Sequence, residues 1–363
     1  MRFSQFFFGF LGLSLALALS APTAAVAATK KRPAESPGSS YHGYIVMDAA
    51  TGKVLAEENA DAVSPPASMV KLMTFAVLQD KIRSGTLTLA TPITVTADDA
   101  RMGGTQVFLK EKEVFTVEEL IYAMMIISAN DAAHALGRTA AGSVEAFVEL
   151  MNAKARALGM THTTFRTPHG LPPDDRQTTN GDLTSPRDFA ILSRHLLQNT
   201  DILKYTSVHN RNFGEGKRTP NRVIAMKNHN NLLGKVAGVD GLKTGYTKGA
   251  GYCLAATAQR NGRRVIVVIM GALGPTGREI DLGHSRDIKT IELLEKGFAA
   301  LPPETPVIAG TASTSPSTVA NGTPAINAQP SAPLSTSPSP ILSAPVRPAD
   351  QSAITITVPA AKK

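Results

Sequence analysis

The chain has 363 residues, a formal net charge of +8 and one cysteine. That length exceeds a single typical domain. One cysteine excludes an intramolecular disulfide, and scattered Lys and Arg without any RNA- or DNA-binding motif argue against nucleic acid as a partner.

Arg2 precedes an apolar run, Phe6 to Leu19, and Ala25-Val26-Ala27 supplies small residues for cleavage. A run of about 14 residues is shorter than the roughly 20 of a membrane span, so residues 1–27 read as a secretory signal cut near Ala27. The protein is then exported, to the periplasm or cell-wall space, where a basic surface suits anionic partners. Residues 28–40 read as a linker.

Tyr41 to Asp61 predicts two strands around a turn at Ala50-Thr51-Gly52-Lys53. Ser64 to Gly85 predicts a helix, with Pro65-Pro66 leading in, Val70, Met73, Val77 and Leu78 as its apolar stripe, and Gly85 as its stop. Thr116 to Ala141, Val144 to Leu158 and Pro186 to Leu197 read as helical, the last opened by Thr184-Ser185 ahead of Pro186. The pattern then returns to strand. Val239 to Thr247 is one strand. Gly251 to Ala272 is a hairpin about Asn261-Gly262, the favoured two-residue turn. Cys253 reads as a small apolar residue within it. Arg278 to Leu301 predicts an amphipathic helix. Residues 302–363 hold 12 of the 24 prolines and five charged residues. Such a stretch buries too little apolar surface to offset its ordering entropy, and reads as a disordered Pro/Ser/Thr/Ala-rich tail.

Strands come from both ends and helices from the middle. The expectation is a mixed α/β fold of the α+β type over residues 41–301. One antiparallel sheet combines N- and C-terminal strands, backed by the last helix, with a mostly helical subdomain inserted. The junction of sheet and helical block is a natural cleft.

Three short motifs fall where that cleft should lie. Ser68-Met69-Val70-Lys71 is S-x-x-K at a helix start, where positions i and i+3 share a face. A serine hydroxyl needs a base, and a lysine serves once desolvation or nearby positive charge lowers its pKa. Ser128-Ala129-Asn130 offers a hydroxyl and an amide between helices. Lys243-Thr244-Gly245 puts a cation and a hydroxyl on a strand, with a glycine that permits close backbone approach. Singly, each is also ordinary capping or an exposed lysine; with 24 serines and 18 lysines, chance supplies about one S-x-x-K. In this order and context they form a set associated with penicillin-binding proteins and β-lactamases.

The chain resembles the low-molecular-mass penicillin-binding proteins that are serine D-Ala-D-Ala carboxypeptidases. The likeness spans nearly all of residues 43–300. It extends to "PPASMVKLMT", "SANDAAHAL", "FVELMNAKARALGMTHTTF", "PHGL" (Pro168 to Leu171), "NHNNLL" and "GVDGLKTGYTKGAGYCL". The resemblance implies a DD-peptidase/serine β-lactamase-like fold and removal of the terminal D-Ala from peptidoglycan stem peptides. It implies Ser68 as acyl-ester nucleophile, Lys71 as its base and Ser128 as a proton relay near Lys71 and Lys243. Asn130 would hold the substrate amide. Lys243 and Thr244 would engage the terminal carboxylate beside Gly245, and the N–H groups of Ser68 and Tyr246 would form the oxyanion hole. Arg278 matches a family arginine near the K-T-G strand. β-Lactam antibiotics are expected as covalent inhibitors, with no cofactor and no metal.

Many relatives carry a β-rich second domain and a membrane-docking helix. The tail here lacks the periodicity and the basic amphipathic face for docking, so no membrane anchor is expected. A class A β-lactamase needs a glutamate to activate the deacylating water. Residues 150–214 contain none, so a penicillin adduct should persist. A D,D-endopeptidase would use the same motifs. A non-catalytic wall-binding scaffold fits poorly with every motif residue intact. A zinc peptidase fits poorly too: there is no H-E-x-x-H, and His134 and His169 read as structural.

Overall fold

The computed structural model describes residues 41–173, 177–274 and 281–302. The expected signal, linker, tail beyond 302 and Arg278 lie outside these residues. In chain order the elements are β1 (Gly43–Asp48), β2 (Val54–Glu58), a 3₁₀ turn (Ala67–Val70), α1 (Lys71–Arg83), β3 (Pro92–Thr94), α2 (Ala97–Ala100) and β4 (Val114–Thr116). Then follow α3 (Val117–Ile126), α4 (Asn130–Ala141), α5 (Val144–Ala157), α6 (Pro186–Asn199), α7 (Leu203–Thr206), β5 (Asn210–Phe213) and β6 (Ile224–Lys227). The chain closes with β7 (Val239–Thr247), β8 (Gly251–Arg260), β9 (Arg263–Ala272) and α8 (His284–Ala300).

N- and C-terminal strands build one antiparallel sheet, in the order β2-β1-β9-β8-β7. The expected α+β architecture is therefore present. The unbroken apolar run of β9 is explained by burial on both faces. Ile266, Val268 and Met270 enter the core shared with the helical block. Val265, Val267 and Ile269 enter a second core with Leu293 and Leu294 of α8. Each such side chain removed from water contributes about 1.5–3 kcal/mol. Asn261 and Gly262 both take positive φ (48° and 75°), as a two-residue hairpin turn between right-twisted strands requires.

The helical stretch from Val117 to Ala141 divides at Ile127-Ser128-Ala129. A capping box between Thr116 and Glu119 opens α3. Ser128, at φ 68°, ends its helical path, and the Asn130 N–H is given to Thr105 O as α4 begins. The last helix starts at His284, six residues later than Arg278. Leu282 and Gly283 are left-handed, and the Asp281 carboxylate accepts the N–H groups of Gly283 and Ser285. That Asx-type arrangement closes a turn just before the helix.

Candidate active site

Ser68 lies in the 3₁₀ turn that leads into α1. Its neighbours Ala67, Met69 and Val70 are buried, so the turn is anchored while the serine itself stays partly open to a cleft. Lys71, the first residue of α1, is fully buried. Its Nζ lies 3.0 Å from Ser68 Oγ. It also donates to Asn130 Oδ1 at 2.7 Å and to the His169 carbonyl at 2.6 Å. Asn130 Nδ2 donates to Gly103 O at 2.9 Å, which leaves its oxygen facing the amine.

Burial, then the Lys243 charge, pushes the Lys71 amine well below the usual lysine range, against an opposite pull from Asp182 and Asp131. Lys243 is also buried; desolvation and then Arg286 push it down to about 7. Its Nζ donates to Thr244 O at 2.9 Å.

β7 is the edge strand of the sheet. Its Gly245 lies against the nucleophile's turn: a Cβ there would stand 2.6 Å from Pro66 O and 3.2 Å from Ser68 N. The glycine of K-T-G is thus required by close backbone approach. On the facing wall Ser128 keeps its left-handed backbone at a cost of about 1–3 kcal/mol, the kind of strain that clusters at functional sites. Its Oγ is buried and has no hydrogen-bond partner among the described residues.

The cleft between these walls has a volume of about 580 Å³, and Ser68, Ser128, Thr244, Gly245 and Tyr246 all line it. The tyrosine ring is stacked on Tyr252, centroids 4.3 Å apart. Arg286 lines the same cleft, and its Nε and Nη2 donate to Asp287 Oδ1 at 2.9 and 2.6 Å. Sequence reading named Arg278 near this strand and missed Arg286. An arginine inside an amphipathic helix pattern carries no local signal of what it faces.

Asn130, expected to hold the substrate amide, is the first residue of α4. It is buried, with its oxygen on Lys71 and one amide proton on Gly103. Sequence reading also missed the backbone acceptor from His169, since a carbonyl leaves no trace in residue type. The His169 ring is buried and held below the usual histidine range by desolvation and then Lys71. Cys253 is buried in β8 and its thiol is pushed up to about 11 by burial, the inert form.

The arrangement can deprotonate a hydroxyl beside a cleft with cationic walls. Comparison with known proteins agrees with that chemistry. Residues 29–274 match the family model described as D-alanyl-D-alanine carboxypeptidase. The chain is 35% identical over 243 residues to the D-alanyl-D-alanine carboxypeptidase DacF of Bacillus subtilis, covering 67% of this chain and 60% of that protein. It is 31% identical over 270 residues to a D-alanyl-D-alanine endopeptidase of Pseudomonas aeruginosa, covering 73% of this chain and 81% of that one. Among solved structures it resembles penicillin-binding protein D2 of Listeria monocytogenes in its ampicillin-bound form. The TM-score is 0.60 at 31% identity, over 71% of this chain and 97% of that one. The matches span 60%, 66% and 58% of three of the curated carboxypeptidases. The chain belongs to the D-alanyl-D-alanine carboxypeptidase family of serine peptidases.

Proposed function

We propose that this protein removes the terminal D-Ala from peptidoglycan stem pentapeptides through an acyl-enzyme on Ser68. The observation that carries this reading is a buried Lys71 amine, depressed in pKa, 3.0 Å from the Ser68 hydroxyl. The terminal carboxylate of the stem peptide lies toward Lys243 and Thr244, with Arg286 as a further cation. The peptide backbone runs along β7, the edge strand of the sheet.

Neutral Lys71 takes the Ser68 proton as Oγ attacks the penultimate D-Ala carbonyl carbon. The oxyanion is received by the N–H groups of Ser68 and Tyr246. Ser128 passes the proton from Lys71 to the departing amine, the C–N bond breaks, and D-Ala leaves. Water then attacks the ester, frees the tetrapeptide and restores Ser68. A β-lactam is attacked in the same way, but its opened ring stays tethered, and no glutamate in residues 150–214 is available to activate a deacylating water.

The signal segment supports export to the cell-wall space. Among the described residues, no helix is long and apolar enough to cross a membrane. The test is mass spectrometry of purified muropeptides and of the protein itself after penicillin, with Ser68→Ala as control. Pentapeptide shortened to tetrapeptide, and a stable adduct absent from Ser68→Ala, are expected. Rapid penicillin turnover without an adduct would sink the assignment. A second reading, D,D-endopeptidase, is favoured by the endopeptidase relative, which the chain spans over 81% of its length. It predicts cross-linked dimers split to monomers in the same digest.

A further inference from the structure

A neutral amine has two N–H bonds and one lone pair. Of the three oxygens that Lys71 Nζ meets among the described residues, those of Asn130 and His169 are carbonyl-type and can only accept. Each therefore consumes one N–H. The remaining direction, the lone pair, falls on Ser68 Oγ, the one neighbour with a proton to give. Alignment of the base thus depends on how firmly both carbonyls are held.

Asn130 is held by Gly103, as above. The other carbonyl belongs to the peptide plane joining His169 and Gly170. Gly170 has φ +83°, and glycine resists such a plane's rotation less than any other residue. The plane is gripped at both ends. Its C=O meets Lys71 at 2.6 Å, and its N–H is given to Thr167 Oγ1 at 2.8 Å. The Thr167 hydroxyl proton goes to Asp182 Oδ2 at 2.7 Å, which turns the oxygen's lone pairs toward Gly170. Asp182 is itself fixed by the N–H groups of Arg166 and Thr167, at 2.7 and 3.0 Å. The next plane is held by the Leu171 N–H donating to His169 Nδ1 at 3.1 Å. Thr74 Oγ1 donates to Pro168 O at 2.6 Å and ties the segment to α1, the helix that carries Lys71.

We propose that Thr167, backed by Asp182, is a positioning residue for acyl transfer: it fixes the peptide plane whose carbonyl aims the Lys71 lone pair at Ser68. The inference rests on the reading of Ser68 as nucleophile and Lys71 as base. Thr167 touches no substrate; it acts through one backbone carbonyl. His169 contributes in the same way, by its ring nitrogen on the following plane.

The test compares wild type, Thr167→Val and Thr167→Ser in acylation by a fluorescent penicillin, with rates taken up to saturation and thermal midpoints measured alongside. Valine keeps the shape and removes the acceptor; serine keeps the acceptor. Thr167→Val should lower the saturating acylation rate about 10- to 100-fold, the scale of a small misalignment of reacting groups. The penicillin concentration at half-saturation should stay within about two-fold, and Thr167→Ser should restore the rate to within about three-fold. Thr167→Val acylating like wild type, or Thr167→Ser as slow as valine, would overturn the proposal. So would a loss divided equally between rate and half-saturation. Should the valine variant not fold, Thr167→Ala against Thr167→Ser decides. Alanine also removes the acceptor for the Gly170 N–H, so it should acylate more slowly than serine, and equal rates would overturn the proposal. Wild-type protein that takes no penicillin would be a separate result, removing the functional reading first.

Discussion

Lys71 and Lys243 are both buried, yet the proposed reaction asks them to carry different charges. Lys71 must be neutral to accept a proton; Lys243 must be charged to attract a carboxylate. The surroundings push Lys71 well below the lysine range and Lys243 to about 7. The value of kcat/KM should therefore fall above about pH 7 as Lys243 loses its proton. Lys243→Arg keeps the charge at all working pH values. The alkaline limb should vanish in that variant, and an unchanged limb would assign it to another group. Ser128 supplies a second prediction. Its hydroxyl is buried without a partner among the described residues, so Ser128→Ala removes no hydrogen bond seen there. Activity should fall about 10²- to 10⁴-fold, the size of a lost proton-transfer group. Stability should change by no more than about 0.5 kcal/mol, read from denaturant midpoints. Ser68, Lys71, Ser128, Lys243, Thr244 and Gly245 were legible from three motifs because side-chain type carries their chemistry. The His169 carbonyl, the Thr167 grip upon it and Arg286 were not, since backbone acceptors and long-range placement leave no mark in residue order.

Elements were legible in proportion to their length and periodicity. The β8–β9 hairpin announced itself through Asn261-Gly262 and a long apolar strand, and β7 falls at the expected Val239–Thr247. The two-stranded ribbons β3–β4 and β5–β6 were not foreseen. Their strands have three or four residues each, too few to show an alternation. The late start of α8 was hidden for another reason: Asp281 and Gly283 impose a turn inside what reads as one helical pattern. The packing of α8 on the sheet turns on a single residue. A Cβ at Gly297 would stand 2.7 Å from Val46 Cγ1 and 2.8 Å from Val265 Cγ1, both core atoms. Gly297→Ala gains about 1 kcal/mol of helix propensity. Pushing the helix off the sheet costs typically 1–3 kcal/mol. The overpacking should win, giving a net loss of up to about 2 kcal/mol and a lower thermal midpoint. A midpoint unchanged or raised would mean that α8 can shift without loss.

At the scale of the whole catalytic unit, the cleft lies where the sheet's free edge meets the helical block, and the two cores on either side hold its walls. The site costs stability to maintain. Among the described residues Lys243 is buried with one hydrogen bond, to its own neighbour's carbonyl at 2.9 Å, and burial and the Arg286 charge both work against its ammonium form. Its folded pKa is about 7, against roughly 10.4 for an unfolded lysine. Between those values the unfolded chain binds more protons than the folded one, so this group makes stability rise with pH from about 7 to about 10. Below about 7 both states are charged, and the full penalty of burying the ammonium is present. Lys243→Met keeps the length of the side chain and removes the charge. It should abolish carboxylate recognition while stabilising the fold by about 1–2 kcal/mol near neutral pH, a rise of about 2–6 °C in Tm for a unit of this size. The gain should be largest below pH 7 and shrink toward pH 10, as the wild-type lysine discharges. A gain of constant size across that range would place the effect in packing instead of charge. A loss of stability would mean that the ammonium is held by more than the Thr244 carbonyl.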